Sequence, residues 1–202
     1  TILTIRRFAA DDEIGETNAE KIWNYFLKHG FTKEGAAGIM GNIANEASTD
    51  LNPTLLEYGS ISRTSLSGEQ YTNLVDAGII SRDEVIRSSR FGLYSGGRYG
   101  YGLCGFTDPT IKEYLCRYTI DLGKSLGSLS GQLDSLLAYL SDYNPSLLER
   151  LKNAEDVDTA AISFMREYEK CANQGTQKEL RTTAAEQIYN TLESYDSPVD
   201  VE

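Results

Sequence analysis

The stretch "AAGIMGNIANEAST", residues 36–49, has the pattern of one amphipathic helix with an acid on its apolar side. Its apolar residues recur at the i, i+3, i+4, i+7 spacing that lines one face of a helix: Ala36, Ile39, Met40 and Ile43. Glu46 follows Ile43 by one helical step and continues that stripe. Desolvation on such a face raises the pKa of a carboxyl group, which suits a general acid. The alternative is that the helix end turns Glu46 into solvent.

Cap and breaker residues predict helices on both sides of this stretch. Thr32 is expected to cap a helix from Lys33 to about Glu46, and Asn18 to cap an earlier helix that Gly30 ends. Further helices are expected near 68–77, 82–89, 109–122, 131–140, 145–152, 159–170 and 176–192.

Residues 90–106, "RFGLYSGGRYGYGLCGF", alternate aromatic residues with glycines, which is typical of a glycine-rich β-hairpin or loop. The fold class is therefore expected to be α+β and mostly helical, with a small β-hairpin region between helical parts. Interleaved rings and flexible backbone also suit a sugar site, because rings stack on pyranose faces. Tyr94, Tyr99 and Tyr101 are the predicted stacking residues, although an ordinary hairpin explains the same pattern.

Charge and composition exclude several classes of function. The 202 residues are 40% hydrophobic and 24% charged, as in an ordinary soluble globular protein. The formal net charge of −11 argues against nucleic acid and anionic membrane surfaces as partners. No apolar run approaches the ~20 residues that a membrane-spanning helix needs. No secretory signal pattern opens the sequence.

The cysteine and histidine content argues against metal or thiol chemistry. Cys104, Cys116 and Cys171 form no Cys-x-x-Cys pair, and His29 is the only histidine. We expect three buried thiols, or alternatively one disulfide and one thiol. His29 precedes Gly30 at an apparent helix C-terminus, where a capping role is expected. We predict no metal site and no other cofactor.

Several motifs, in order, resemble the phage tail lysozyme family. "NAEKIWNYFLKHGFTKEGAAGIMGNIANEASTDLNP" (18–53) resembles its opening pair of helices, the second of which ends near a glutamate and an Asn-Pro turn. "GYGLCGFT" (100–107) resembles its Gly-Leu-x-Gln-Trp-Thr segment, and "KSLGSLSGQLDSLLAYL" (124–140) its lysine-containing turn and next helix. "AAISFMREYEK" (160–170) and "RTTAAEQIY" (181–189) resemble its closing helices.

The resemblance implies a lysozyme-like catalytic domain over residues 18–192, preceded by a linker or edge strand (1–17) from a longer chain and followed by an acidic tail (193–202). Such a domain cleaves the β-1,4 bond between N-acetylmuramic acid and N-acetylglucosamine in peptidoglycan. The implied partners are glycan strands and other phage tail proteins, or the rest of a longer tail chain. The implied location is the virion tail, acting on the wall outside the cytoplasmic membrane. Neither nucleic acid nor membrane is an expected partner.

The resemblance also implies site residues. Glu46 falls on the family's catalytic glutamate. The cleft segment falls on Gly102, Leu103, Cys104 and Gly105 and is followed by Phe106. Tyr168 and Glu169 stand where relatives bring a tyrosine toward the cleft. Core packing is the alternative for Tyr168. Gly105 replaces the family's glutamine and Phe106 its tryptophan, which favours, as the alternative function, a catalytically impaired wall-binding or structural tail module.

The sequence does not identify a second carboxylate. The candidates are Asp50, Glu57, Glu69, Asp83 and Glu84. Asp50 and Glu69 are the possible second acids that we retain, although Asp50 equally suits a turn and Glu69 the first turn of a helix. Some lysozyme-like enzymes need only one glutamate, so muramidase and lytic transglycosylase both stay open.

Overall fold

The computed structural model describes residues 13–57, 64–170 and 174–195. The predicted linker and acidic tail lie largely outside these residues. The helices are α1 (Asn18–Lys28), α2 (Lys33–Glu46), α3 (Gly68–Asp76), α4 (Arg82–Arg87), α5 (Pro109–Tyr118), α6 (Leu129–Tyr143), α7 (Pro145–Lys152), α8 (Val157–Phe164) and α9 (Gln174–Leu192). The prediction of a mostly helical chain is confirmed. None of the helices in the described ranges is long and apolar enough to cross a bilayer.

The chain divides into two compact units. The first, which we call the helical unit, comprises Glu13–Leu51 and the chain from Leu140 onward. It contains α1, α2, α7, α8 and α9. The second, the middle unit, comprises Asn52–Tyr139 and contains α3, α4 and α5. Helix α6 contributes residues to both.

Helix α2 is the central helix of the helical unit and packs against α1, α7, α8 and α9. Thr32 caps it as predicted, because its hydroxyl accepts a hydrogen bond from the Gly35 amide. Every residue from Gly35 to Ile43 is buried. The helix is therefore buried on all of its faces over this range. The periodicity had indicated burial of one apolar face only.

Two glycines let other helices approach α2 closely. A Cβ atom on Gly38 would lie 2.5 Å from the Cβ of Ala160 in α8. A Cβ atom on Gly41 would lie 2.6 Å from the Cβ of Ala185 in α9. Carbon atoms normally stay about 3.5–4.0 Å apart, so only glycine fits at these two crossings.

Residues 90–106 form turns, and the predicted β-hairpin is absent from the described part of the middle unit. The segment contains 3₁₀ turns at Arg90–Gly92 and Ser95–Gly97. Its one ladder contact with a described residue is an isolated antiparallel bridge between Leu56 and Tyr101. Extended strands need negative φ, whereas several residues here have positive φ: Phe91, Gly92, Gly96, Gly97, Gly102 and Gly105.

Polar side chains cap several other helices, and one of the two predicted N-caps is shifted by one residue. Ser81, Asp108 and Asp156 each accept a hydrogen bond from an amide in the first turn of their helices. Helix α1 is capped by Thr17 instead of Asn18. The Thr17 hydroxyl accepts from the Glu20 amide, and the Thr17 amide donates to the Glu20 carboxylate, which completes a capping box. His29 is the C-cap residue of α1, as predicted.

The cysteines follow the first of the two predicted alternatives as far as they are described. Cys104 and Cys116 are both buried thiols. Burial raises the pKa of the Cys116 thiol to about 12, which keeps it protonated and unreactive. Cys171 lies outside the described residues.

Candidate active site

Glu46 is the last residue of α2, at the edge of the core. Ile43, one turn earlier, is completely buried, whereas the Glu46 side chain is 30% exposed. The helix therefore carries its acid to the rim of the packed region without releasing it fully into solvent. A carboxylate in that position can reach a bound molecule and still feel the charges of neighbouring helices.

Arg181 of α9 forms an ion pair with Glu46. Its Nη2 atom donates to Oε1 of Glu46, and its Nη1 atom donates to the side-chain carbonyl of Gln177. The Arg181 side chain is only 3% exposed. A guanidinium that deeply buried requires an anionic partner. Arg181 is not among the site residues predicted from the sequence.

Glu169 is the third charged group at this site. We call Glu46, Glu169 and Arg181 together the charged cluster. It ends a π-helical turn, Met165–Glu169, that directly continues α8. Its Oε1 atom is buried and has no hydrogen-bond partner in the described structure, although the residue as a whole is partly exposed. Burial, and then the negative charge of Glu46, raise the pKa of Glu169 well above its ordinary value, while Arg181 lowers it. The net effect favours the protonated form of Glu169.

The π-helical turn explains how Glu169 comes to face this cluster. The Lys170 amide donates to the Met165 carbonyl at 2.9 Å, and Lys170 itself has a positive φ of 51°. Such single wide turns recur at functional sites, because they rotate the following side chains relative to a regular helix. The ring of Tyr168 packs 4.7 Å from that of buried Phe164, in agreement with the core-packing alternative for this tyrosine.

The predicted second carboxylates have local structural roles. Asp50 is exposed and accepts a hydrogen bond from the Ser48 hydroxyl, which lowers the pKa of Asp50. Glu69 is exposed in the first turn of α3, in the middle unit. Glu57 accepts from the Gly100 amide at 2.6 Å, and Glu84 completes the capping box of α4. Asp83 likewise lies in the first turn of α4.

The three predicted stacking tyrosines differ in exposure. Tyr94 is 44% exposed, whereas Tyr99 and Tyr101 are 0% and 1% exposed. The hydroxyl of Tyr99 lies 2.5 Å from that of Tyr71, and the hydroxyl of Tyr101 lies 2.6 Å from that of Thr72. Tyr99 and Tyr101 thus build the core of the middle unit and present no ring face to a sugar.

Gln132 of α6 holds the Gly-Leu-Cys-Gly segment from inside the middle unit. Its side-chain oxygen accepts from the Leu103 amide at 2.9 Å. Its side-chain nitrogen donates to the carbonyls of Pro53 at 2.7 Å and Leu126 at 3.0 Å. Gly102, Leu103 and Phe106 are all buried within the middle unit.

The structure thus places Glu46, Tyr168 and Glu169 in the helical unit and the other predicted substrate-binding residues in the middle unit. It brings together Glu46 and Glu169, with Arg181 as the unpredicted third group. Arg181 shares the buried side of α9 with Ala185 and Leu192. Glu46 was identified as a charged residue on an apolar stripe, and the same signal in α9 identifies Arg181. No cluster of three or more potential ligands for a metal ion occurs among the described residues.

Comparison with known proteins agrees with the resemblance seen in the sequence. Residues 17–192 match the phage tail lysozyme family. A search of curated proteins found no match. The mostly helical structure is consistent with a lysozyme-like fold, and the family indicates peptidoglycan as the substrate and the phage tail as the setting. Because the match covers most of the chain and includes all three residues of the charged cluster, this protein belongs to the phage tail lysozyme family, whose members are lysozyme-like cell-wall enzymes.

Proposed function

We propose that this domain cleaves the β-1,4 bond between N-acetylmuramic acid and N-acetylglucosamine in peptidoglycan, with Glu46 as the general acid. The observation that carries the proposal is the placement of Glu46 at the rim of the core, in an ion pair with buried Arg181 and in electrostatic contact with Glu169. The cleavage would open the bacterial wall locally during infection by a phage whose tail carries the domain. We expect targeting to come from the rest of the tail, because a domain of net charge −11 is not attracted to anionic wall polymers.

The first chemical step is a proton transfer. Glu46 donates its proton to the glycosidic oxygen while the bond from that oxygen to C1 breaks, and the oxygen keeps the bonding electron pair. The sugar passes through an oxocarbenium-like state. Glu46 is left as a carboxylate, and Arg181 stabilises that charge. Since the ion pair strengthens as the proton leaves, Arg181 favours the transition state over the ground state.

The second step returns a proton to Glu46. A hydrolase would use water, which attacks C1 and gives its proton to the Glu46 carboxylate. A lytic transglycosylase would use a hydroxyl of the sugar itself in the same way.

Substrate contacts in the middle unit are part of the proposal. Tyr94, whose ring is exposed, is the proposed stacking residue of the glycine-rich segment. Gly102, Leu103 and Phe106 would act through the shape of their backbone, which Gln132 fixes. A catalytically impaired wall-binding module is the second candidate function. Gly105 favours it, because this position offers no side chain where the family has a hydrogen-bonding glutamine.

Digestion of purified peptidoglycan tests the proposal. Wild-type protein should release soluble muropeptides, and the isosteric variant Glu46→Gln should release none above background. Glu179→Gln is the matched control, because it neutralises an exposed glutamate on α9 and should retain wild-type activity.

Mass spectrometry of the products separates the two chemistries. Hydrated reducing ends identify a hydrolase, and anhydro ends identify a transglycosylase. If wild-type protein binds sedimented walls but releases no more than Glu46→Gln, the enzymatic proposal fails and the wall-binding module is supported.

A further inference from the structure

The ion pair with Arg181 creates a problem for Glu46 as an acid. A neighbouring guanidinium favours the ionised carboxylate, whereas a general acid must carry a proton when the substrate binds. Arg181 is buried and forms its ion pair with Glu46, so it does not leave the site easily. Another group near Glu46 must therefore keep a proton available at neutral pH.

Glu169 is placed where it can keep a proton available to Glu46. It interacts electrostatically with both Glu46 and Arg181, and one of its oxygens is buried without a hydrogen-bond partner in the described structure. A buried carboxylate oxygen that accepts no hydrogen bond is costly when charged. The π-helical turn that ends at Glu169 packs against α9, the helix that carries Arg181.

We propose that Glu169 is a positioning residue that shares one proton with Glu46 beside Arg181, and that this shared proton is the one that Glu46 delivers to the glycosidic oxygen. The inference rests on the proposed function of Glu46 as the acid. It adds a role for a carboxyl group that never needs to touch the substrate.

Charge balance supports one shared proton. Within the described ranges, the charged groups that act on Glu169 are Glu46 from α2 and Arg181 from α9. With one proton on the two carboxyls, the remaining carboxylate and the guanidinium make the cluster neutral. Loss of that proton leaves two adjacent carboxylates against one cation, and gain of a second proton leaves Arg181 without an anion. Both departures from one proton are unfavourable, so this state extends over a wide pH range.

The charge of Glu167, on the same turn, is engaged with other partners. Glu167 pairs with Arg150 at 2.5 Å, and both side chains are well exposed. The same carboxylate also accepts from Asn144 at 3.3 Å. Glu167 therefore serves as a matched control, two residues from Glu169 on the same turn but engaged with other partners.

Sharing also explains the return of the proton. When Glu46 has donated its proton and Glu169 is ionised, the cluster carries a net negative charge. That charge makes Glu46 more basic, which favours removal of a proton from the attacking water or hydroxyl. The proton then restores the neutral cluster, and no oxidant or additional reactant is required.

The pH dependence of kcat/KM on peptidoglycan tests the role of Glu169. In Glu169→Gln the shape of the side chain is kept, but Glu46 loses the neighbouring carboxyl group while Arg181 stays beside it, so Glu46 loses its proton at lower pH. We expect the alkaline limb of the profile to move to lower pH by about one unit or more, with a corresponding loss of about tenfold or more on that limb. Glu167→Gln should keep the wild-type profile. An alkaline limb for Glu169→Gln that superimposes on that of wild type overturns the inference.

A second measurement does not depend on activity. Carboxyl ¹³C chemical shifts of protein labelled at the glutamate side chains are followed against pH, with Glu46→Gln and Glu169→Gln as assignments. In wild type the Glu169 carboxyl should titrate above its usual range, and in Glu46→Gln its midpoint should fall by about one unit or more, because the neighbouring charge is gone. An unchanged Glu169 midpoint in Glu46→Gln contradicts proton sharing. If wild type is inactive, the proposed function fails while this titration still decides the sharing; if wild type is active and Glu169 titrates independently, only the inference fails.

Discussion

Replacement of Gly41 by alanine tests whether the close approach of α9 to α2 positions the groups of the candidate active site. The added Cβ atom would lie 2.6 Å from the Cβ and from the backbone nitrogen of Ala185, and 2.6 Å from the carbonyl oxygen of Arg181. Because normal carbon contacts are about 3.5–4.0 Å, the two helices must separate by about 1 Å. Two of the three contacts are to backbone atoms, which cannot rotate away.

The size of the effect follows from two opposing terms. Overpacking a tight contact costs about 1–3 kcal/mol, and the rigid backbone contacts here place Gly41→Ala near the upper end. The higher helix propensity of alanine returns about 1 kcal/mol. The free energy of unfolding should therefore fall by about 2 kcal/mol. Arg181 would move by about 1 Å relative to Glu46, and displacements of that size cost about 100-fold in catalysis.

Urea unfolding and muropeptide release measure the two effects on the same samples, at a temperature where every variant is folded. Gly175→Ala is the matched control, because it lies in α9 and its Cβ would meet nothing within 4 Å. That variant should gain about 0.5–1 kcal/mol and keep full activity. If Gly41→Ala is as stable and as active as Gly175→Ala, the glycine contact does not position the site.

Three further variants test the middle unit. Burial lowers the pKa of Lys112 from 10.5 to about 7, so between these pH values the unfolded chain binds one more proton than the folded chain. The free energy of unfolding should therefore rise by about 2 kcal/mol from pH 7 to pH 9 in wild type but not in Lys112→Met. The same pH dependence of urea unfolding in both proteins would refute this. Gln132→Ala leaves three backbone groups without their partner, so thermal unfolding should show a loss of about 3 kcal/mol, and an unchanged Tm would contradict the role of Gln132. Tyr94→Ala should weaken binding to peptidoglycan about fivefold with unfolding unchanged, and equal binding would remove Tyr94 from the site.

Local signals predicted the helices because their causes are local. The Thr32 hydroxyl and the Gly35 amide that it caps are three residues apart, and the same holds for Asp156 and Thr159. The β-hairpin prediction was wrong because its pattern has two physical origins. Tyrosines alternating with glycines occur in strands, and they also occur where rings enter a core from a curled segment. The choice depends on distant groups, here Gln132 and the buried Lys112 that donates to the Gly97 carbonyl.

In the candidate site, too, the sequence predicted only the residue whose signal is local. Glu46 was identified within one helix, because its position on the apolar stripe follows from its spacing to the preceding residues of that helix. Arg181 lies 135 residues later, and no spacing rule connects the two. Glu169 was expected to contact substrate, but its relation to Glu46 depends on a π-helical turn that the sequence pattern of α8 does not announce.

The cluster also separates catalysis from support of the fold. Arg181 is too deeply buried to lose every anionic neighbour without a large cost. Two carboxyls face it, and only one charge is needed to neutralise it. If Glu46 is neutral, Glu169 can ionise in its place, and if Glu169 is neutral, Glu46 remains the counterion. In the proposed mechanism, Glu46 can therefore gain and lose a proton in every catalytic cycle while the guanidinium keeps an anion beside it. A single glutamate paired with this arginine would not have this property.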